Sequence, residues 1–333
     1  MEIITTNPGW FTGQLARLYQ QFSIKPLPRF ASGVVSELME LCHHCGVALA
    51  DADKDGRRFP ACKRNPNQVV VGYSGGKDSV AALVMLADQG LEPIAFHVRG
   101  LNRSHPNEYA FAEQAAKELG VAFVSPTVRL RGKSNIPDNP VKDQLILAMM
   151  VDWGMEQGVH QFTLGTPTSH TLAHAAFDFN WTDTVEMVGA FGRFAKARWP
   201  SYTWRQTFND STQGYRVLCE RGKLPLCVSC VLSHRFQEQR RKGNQEKYGV
   251  ELYAGRCGSC YKCCLEYAHE VGLGYRKANP AFLAHCLHTL AANLKRYANV
   301  KLPGKPTPRI ALAYWCNTKH INPDELLELA GLV

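Results

Sequence analysis

The sequence predicts an α/β fold: a doubly wound parallel sheet with a cysteine-rich, zinc-binding module and an N-terminal appendage. Three observations predict it. Apolar strand runs alternate with helix-spaced segments between residues 68 and 164. A glycine loop joins the first of these strands to its helix. Cysteines gather in one stretch, at Cys227, Cys230, Cys257, Cys260, Cys263 and Cys264.

The elements follow in order. Gln68–Tyr73 is a buried-strand run through Val69, Val70 and Val71. Asp78–Gln89 spaces Val80, Leu83, Val84 and Leu86 as a helix does. Pro93–Val98 is a second strand, and Asn107–Leu119 is a helix stopped by Gly120. Val121–Val124 is a third strand. Pro140–Gln157 is a long helix with Val141, Leu145, Ala148, Met149 and Trp153 on one stripe, and His160–Leu164 is a fourth strand. Strand–helix alternation with short joints forces parallel pairing. Beyond Gly165 the pattern weakens; a helix over Asp183–Ala197, one over Pro280–Tyr297 and a short one after Asn322-Pro323 remain legible. The expected division is residues 1–66 as the appendage, 67–218 as the α/β domain, 219–272 as the cysteine module and 273–333 as a helical tail.

Composition bounds the function. A chain of 333 residues fits two units of about 150 residues. With 45% hydrophobic and 20% charged residues it can bury a core, which excludes global disorder. No apolar run reaches the ~18–20 residues of a membrane helix. The start, Met1–Pro8, has neither a basic nor an apolar stretch, so no signal peptide is expected. A cytoplasmic location without membrane contact follows as an expectation, with the cysteines as thiols or metal ligands. The net charge of +9 suits anionic ligands.

The loop reads Ser74-Gly75-Gly76-Lys77-Asp78-Ser79. Two glycines let the backbone turn tightly against an anion. The helix that follows offers free N–H groups and a positive dipole end. Ser74 and Ser79 add hydroxyls, Lys77 adds charge, and Asp78 at the helix start can cap it or hold Mg2+. The spacing matches neither G-x-x-x-x-G-K-[ST] nor G-x-G-x-x-G.

Cys257, Cys260 and Cys263 form a C-x2-C-x2-C run, with Gly258 permitting a tight knuckle. A tetrahedral Zn2+ needs a fourth ligand, and Cys227 and Cys230 are both near in sequence. An iron–sulfur cluster would also take four cysteines.

The S-G-G-K-D-S loop resembles the pyrophosphate (PP) loop of the N-type ATP pyrophosphatases, whose fold is of the adenine-nucleotide alpha hydrolase type. These enzymes cleave ATP between the α and β phosphates and transfer AMP to a substrate oxygen. Ser229-Cys230 followed by Cys257-Gly258-Ser259-Cys260-Tyr261-Lys262-Cys263 makes residues 68–270 similar to the 7-cyano-7-deazaguanine synthase family. That resemblance implies a zinc site of Cys230, Cys257, Cys260 and Cys263, omitting Cys227. It implies ATP, Mg2+ and Zn2+ as cofactors. Its substrate is a carboxylate like 7-carboxy-7-deazaguanine, joined to ammonia or to a protein amine. Lys77, Asp78 and Asp183 are the implied catalytic residues. Ligands of such sheets sit beyond the strand carboxyl ends, which adds His97, Val98, Gly165 and Thr166 to the loop as contacts.

Residues 1–66 and the tail after about 272 have no counterpart in the family, and the chain departs from it in three places between them. Asn139-Pro140-Val141-Lys142-Asp143-Gln144 lacks the Arg-Asn pair. Trp181-Thr182-Asp183-Thr184-Val185-Glu186 keeps only the aspartate of the family's segment. The link from Cys230 to Cys257 is far longer. A divergent member of the antiphage-defence type, acting with an operon-encoded partner or as a homodimer, fits these departures. Two other functions remain open: a PP-loop tRNA thiolase, and a non-catalytic nucleotide-binding partner. The knuckle Cys42-His43-His44-Cys45 with Cys62 keeps RNA in view. Trp199 and Trp204, which flank Pro200-Ser201-Tyr202-Thr203, are expected in the core, with stacking on a purine-like base as the alternative.

Overall fold

The computed structural model describes residues 2–5, 66–99, 108–126, 128–131, 140–165, 192, 195–196, 199–209, 211–228, 230, 232, 234–297, 322, 325 and 328. Its strands are β1 (Glu2–Thr5), β2 (Gln68–Gly72), β3 (Glu92–Phe96), β4 (Ala122–Val124), β5 (Val128–Arg131), β6 (Gln161–Thr163) and β7 (Thr203–Trp204). Its α-helices are α1 (Lys77–Asp88), α2 (Glu108–Leu119), α3 (Pro140–Glu156), α4 (Ser211–Glu220), α5 (His234–Tyr248), α6 (Tyr261–Gly272) and α7 (Pro280–Tyr297).

Five strands form one parallel sheet in the order β4-β3-β2-β6-β7. Val70 on β2 sits opposite Ile94 on one side and Phe162 on the other. The chain thus enters at the centre, winds out to β4, then crosses back to build β6 and β7. This is a Rossmann-like arrangement, and its winding reverses between β2 and β6. Central strands covered on both faces must be apolar throughout, and Val69, Val70 and Val71 are each 0% exposed. Helix α1 buries Val80, Ala81, Ala82, Leu83 and Leu86 into the same core.

The point of reversal is tightly packed. A Cβ on Gly72 would lie 2.4 Å from Leu164 Cδ2. Gly165 has φ +68°, and a Cβ there would lie 2.9 Å from Ala82 Cβ and 3.0 Å from the Asp78 carbonyl oxygen. The chain leaving β6 therefore runs against the first turn of α1.

Several elements go beyond the sequence reading. The fifth parallel strand, β7, is only two residues long and has no periodicity to read. Strand β1 pairs antiparallel with β5, joining the chain start to a segment far along it. Helix α5 fills the long link between Cys230 and Cys257. It is polar nearly all round, so hydrophobic spacing does not reveal it. Trp199 is buried, as expected, whereas Trp204, on the edge strand β7, is only half-buried. Helices α6 and α7 pack together around Tyr267, Phe282 and Leu290. Among the described residues, no helix is long and apolar enough to cross a membrane.

Candidate functional site

Two constellations lie next to each other, the first at the carboxyl end of β2. The first is the loop between β2 and α1. Gly75 takes φ +78°, and a Cβ there would lie 3.3 Å from Ala112 Cα on α2, so only glycine fits without strain. Ser74 and Ser79 brace the turn from inside. Gly76 N–H donates to Ser74 Oγ at 3.2 Å, Ser74 N–H donates to Ser79 Oγ at 3.3 Å, and Ser79 Oγ donates to the Gly76 carbonyl at 3.0 Å. Gly76 caps α1 without a side-chain bond. The helix start therefore keeps its N–H groups and positive end for another acceptor.

Lys77 and Asp78 meet at this helix start. Lys77 Nζ lies 2.6 Å from Asp78 Oδ1 and 2.7 Å from Oδ2. The same ammonium stands 5.5 Å from the centroid of the Tyr215 ring on α4. Cation, carboxylate and helix end are thus held together on one turn. Such a turn can take an anion directly, or through a divalent cation.

His97 follows β3 but turns inward. It is 6% exposed, its Nδ1–H donates to the Tyr73 carbonyl at 2.9 Å, and its ring stacks on Phe123. Burial holds its pKa below the usual imidazole value, against the raising effect of that hydrogen bond. Its ring serves the core, while Val98 beside it is half-buried. Gly165 is buried against α1 and works by close approach. Asp183, Thr166, Ser229, Cys42, Cys45 and Cys62 lie outside the described residues.

The second constellation is the cysteine cluster. The sulfurs of Cys230, Cys257, Cys260 and Cys263 all lie within 4.8 Å of one another. Tetrahedral Zn–S bonds of about 2.3 Å place sulfurs about 3.8 Å apart, so the four residues fit a metal such as zinc. Backbone N–H groups already point at the sulfurs. Ser259 and Cys260 donate to Cys257 Sγ at 3.3 and 3.2 Å, and Leu232 donates to Cys230 Sγ at 3.4 Å. Cys260 is the N-cap of α6, its sulfur accepting from Cys263 N–H. Such donors favour thiolates, the form that binds metal. Cys227 stands apart: its thiol is fully buried in the sheet-and-α1 core, and burial pushes its pKa well up.

The neighbouring helices lock the knuckle. Gly258 takes φ +68°, where a Cβ would lie 2.7 Å from Leu252 Cδ1. Asn244 on α5 donates to the Cys257 carbonyl and to Ser259 Oγ, both at 2.8 Å. His285 Nε2 on α7 lies 3.1 Å from the Gly258 carbonyl. The long link between Cys230 and Cys257 thus carries its own support for the knuckle.

The two constellations touch. Val228, two residues before Cys230, donates its N–H to the Gly75 carbonyl at 2.9 Å. Tyr215 bridges them on a second path, its ring edge-on to His269 of α6 at 4.3 Å. Behind it lies a buried ion cluster. Arg256 pairs with Glu270 and lies 3.3 Å from Glu266, while Arg276 reaches Glu270 at 2.8 Å. Sequence reasoning missed Val228, Tyr215, Asn244 and Arg256. Tyr215 and Leu218, three apart, and Gly222 just past the end are local hints of α4.

Fold and site together define a class: a Rossmann-like α/β protein with a glycine loop at the sheet's winding reversal and a four-cysteine cluster able to hold a metal. No protein-family model matches the chain, and no match to it was found among curated proteins.

Proposed function

We propose that the protein is an ATP-dependent ligase that adenylates a carboxylate and passes the acyl group to an amine. The observation that carries this reading is the S-G-G-K-D-S turn, uncapped at the start of α1 and next to the reversal between β2 and β6. A triphosphate lying there would meet N–H groups, the Lys77 ammonium and the positive helix end. Mg2+ held by Asp78 would supply charge neutralisation on the phosphates.

The chemistry balances without a redox step. A carboxylate oxygen of the substrate attacks the α-phosphorus of ATP. The bond from that phosphorus to the bridging oxygen breaks, and pyrophosphate leaves. The acyl-adenylate carbon is then attacked by ammonia or another amine; AMP leaves, the nitrogen loses a proton and an amide forms. A second round of activation on the amide oxygen would yield a nitrile. The protein's share is positioning and charge stabilisation. Four cysteine ligands leave a metal no open position, so Zn2+ would serve structure.

The resemblance of the S-G-G-K-D-S loop and of the Ser229-Cys230 and C-x2-C-x2-C motifs to those of 7-cyano-7-deazaguanine synthases supports a 7-carboxy-7-deazaguanine-like carboxylate. The departures around residues 139–144 and 181–186 favour a divergent acceptor, such as a protein amine in a defence system. The test is to incubate the protein with ATP, Mg2+ and 7-carboxy-7-deazaguanine, with and without ammonia, and to mass-analyse the products. Pyrophosphate and AMP should appear only with the carboxylate, and amide or nitrile only with ammonia. No nucleotide consumption with any carboxylate would overturn the ligase reading. Consumption with other carboxylates alone would overturn only the substrate.

A further inference from the structure

We infer that Tyr215 is the positioning residue for Lys77, holding its ammonium over the loop by the face of an aromatic ring. A lysine side chain is a flexible four-carbon stem with about 2 kcal/mol of rotamer entropy. On an open turn it would spend much of its time in solvent. Among the described residues it has two side-chain partners here, and they differ in kind. Asp78 holds the ammonium at 2.6 Å but cancels its charge. Tyr215, with its ring centroid 5.5 Å away, attracts the ammonium through the ring quadrupole and leaves the charge available to an incoming anion.

The ring is the working part, since the hydroxyl has no partner among the described residues, and two further features fix the ring in place. Tyr215 Oη is buried and makes no hydrogen bond to the described residues. The ring is 1% exposed and fixed from behind by His269. The helix that carries it presses directly on α1, where a Cβ on Gly214 would lie 3.2 Å from Ala81 Cβ. Ring and ammonium therefore belong to two elements that are packed together.

The contact stands without the nucleotide; only its consequence for ligand affinity rests on the ATP reading. The test measures both. Trace acetylation of the Lys77 amine is quantified by mass spectrometry, with Lys117 on α2 as internal reference. The variants are Tyr215→Leu, Tyr215→Phe, and phenylalanine analogues with one, two or three ring fluorines at position 215. Tyr215→Leu should raise Lys77 labelling at least threefold, and Tyr215→Phe should restore most of the protection. Labelling should rise stepwise with fluorination, because fluorine drains the ring face without changing its packing much. In parallel, Tyr215→Leu should weaken MgATP binding about fivefold. Labelling that ignores fluorination, or Tyr215→Phe behaving like Tyr215→Leu, would overturn the inference. If the wild type binds no MgATP, the nucleotide reading fails, while the labelling series still decides the role of Tyr215. The fluorinated series keeps the ring's shape, so a misfolded Tyr215→Leu does not remove the test.

Discussion

The N–H of Val228 donates to the carbonyl of Gly75 at 2.9 Å, and this one hydrogen bond fastens the strand of chain leading to Cys230 onto the glycine loop. The attachment is reinforced from outside: a Cβ on Gly255, in the segment leading to Cys257, would lie 2.7 Å from Val228 Cγ2. Whatever holds Cys230 in place therefore also steadies the loop. A metal that binds four thiolates would do so with far more free energy than the hydrogen bonds of the knuckle.

Metal removal should accordingly loosen the loop. Stripping the purified protein with a chelator should speed amide exchange over residues 73–79 and at Val228 by about tenfold or more. Strand β4, at the far edge of the sheet, should change little. Hydrogen–deuterium exchange with mass spectrometry reads both regions in one experiment.

Cys227 and Cys230 should separate cleanly. Cys230→Ser removes a ligand, so metal content should fall or the metal should become far easier to chelate. Cys227→Ser buries a hydroxyl in the apolar core and should cost about 1–3 kcal/mol of stability while leaving metal content intact. Metal analysis and urea denaturation on the two variants check the pair.

Lys77→Met removes the ammonium from the helix start. If phosphate charge develops there, pyrophosphate release should fall about a hundredfold, the usual loss for one preorganised electrostatic partner. Asp78→Asn should raise the Mg2+ concentration needed for half-maximal release. Steady-state pyrophosphate assays across a Mg2+ titration measure both effects.

Gly165→Ala should be disproportionately damaging for a single methyl. The position has φ +68°, and the new Cβ would be crowded by Ala82 and by the Asp78 carbonyl. A cost of about 1–3 kcal/mol is expected from strain and overpacking. Because the crowding falls on the first turn of α1, nucleotide affinity should drop with stability. Denaturation midpoints and a binding titration follow the two losses.

Acid should weaken the fold through His97 and His285. Burial lowers both imidazoles from the ordinary 6.5, against raising contributions from their backbone hydrogen bonds. In the unfolded chain they protonate near 6.5, while in the fold they stay neutral to lower pH. Their contribution is complete above pH 6.5 and is lost as pH falls from 6.5 towards the folded values. Urea denaturation between pH 7.5 and 5.5 should show the decline, and His97→Gln should make it shallower.

Local features of the chain were legible because local chemistry produces them. The apolar run Val69–Val71 must be a buried strand. Pro140 and Pro280 each open a helix where proline is tolerated, and those helices begin there. The glycine turn and the C-x2-C-x2-C knuckle announce themselves by spacing. Helix α6 was harder to see. Cys264, Tyr267, Ala268 and Val271 have helical spacing, but the cysteines around them invite a loop reading. Helix α5 has no apolar stripe, and β7 has only two residues.

By itself, then, the sequence determined an alternating α/β chain and a glycine turn at a helix start, and with the family resemblance it named all four clustered thiols. Tertiary structure decided what distance in the chain hides. It set the strand order with its reversal between β2 and β6. It placed Cys230, the expected choice, within 4.8 Å of the other three sulfurs and supplied the reason for that choice, since Cys227 is packed into the core. It laid Tyr215 against Lys77, and Val228 against Gly75. Hydrophobic burial is non-directional, so a sequence can say that Cys227 or Tyr215 goes inside. Which neighbour each meets there is fixed only when sheet, helices and knuckle pack at once.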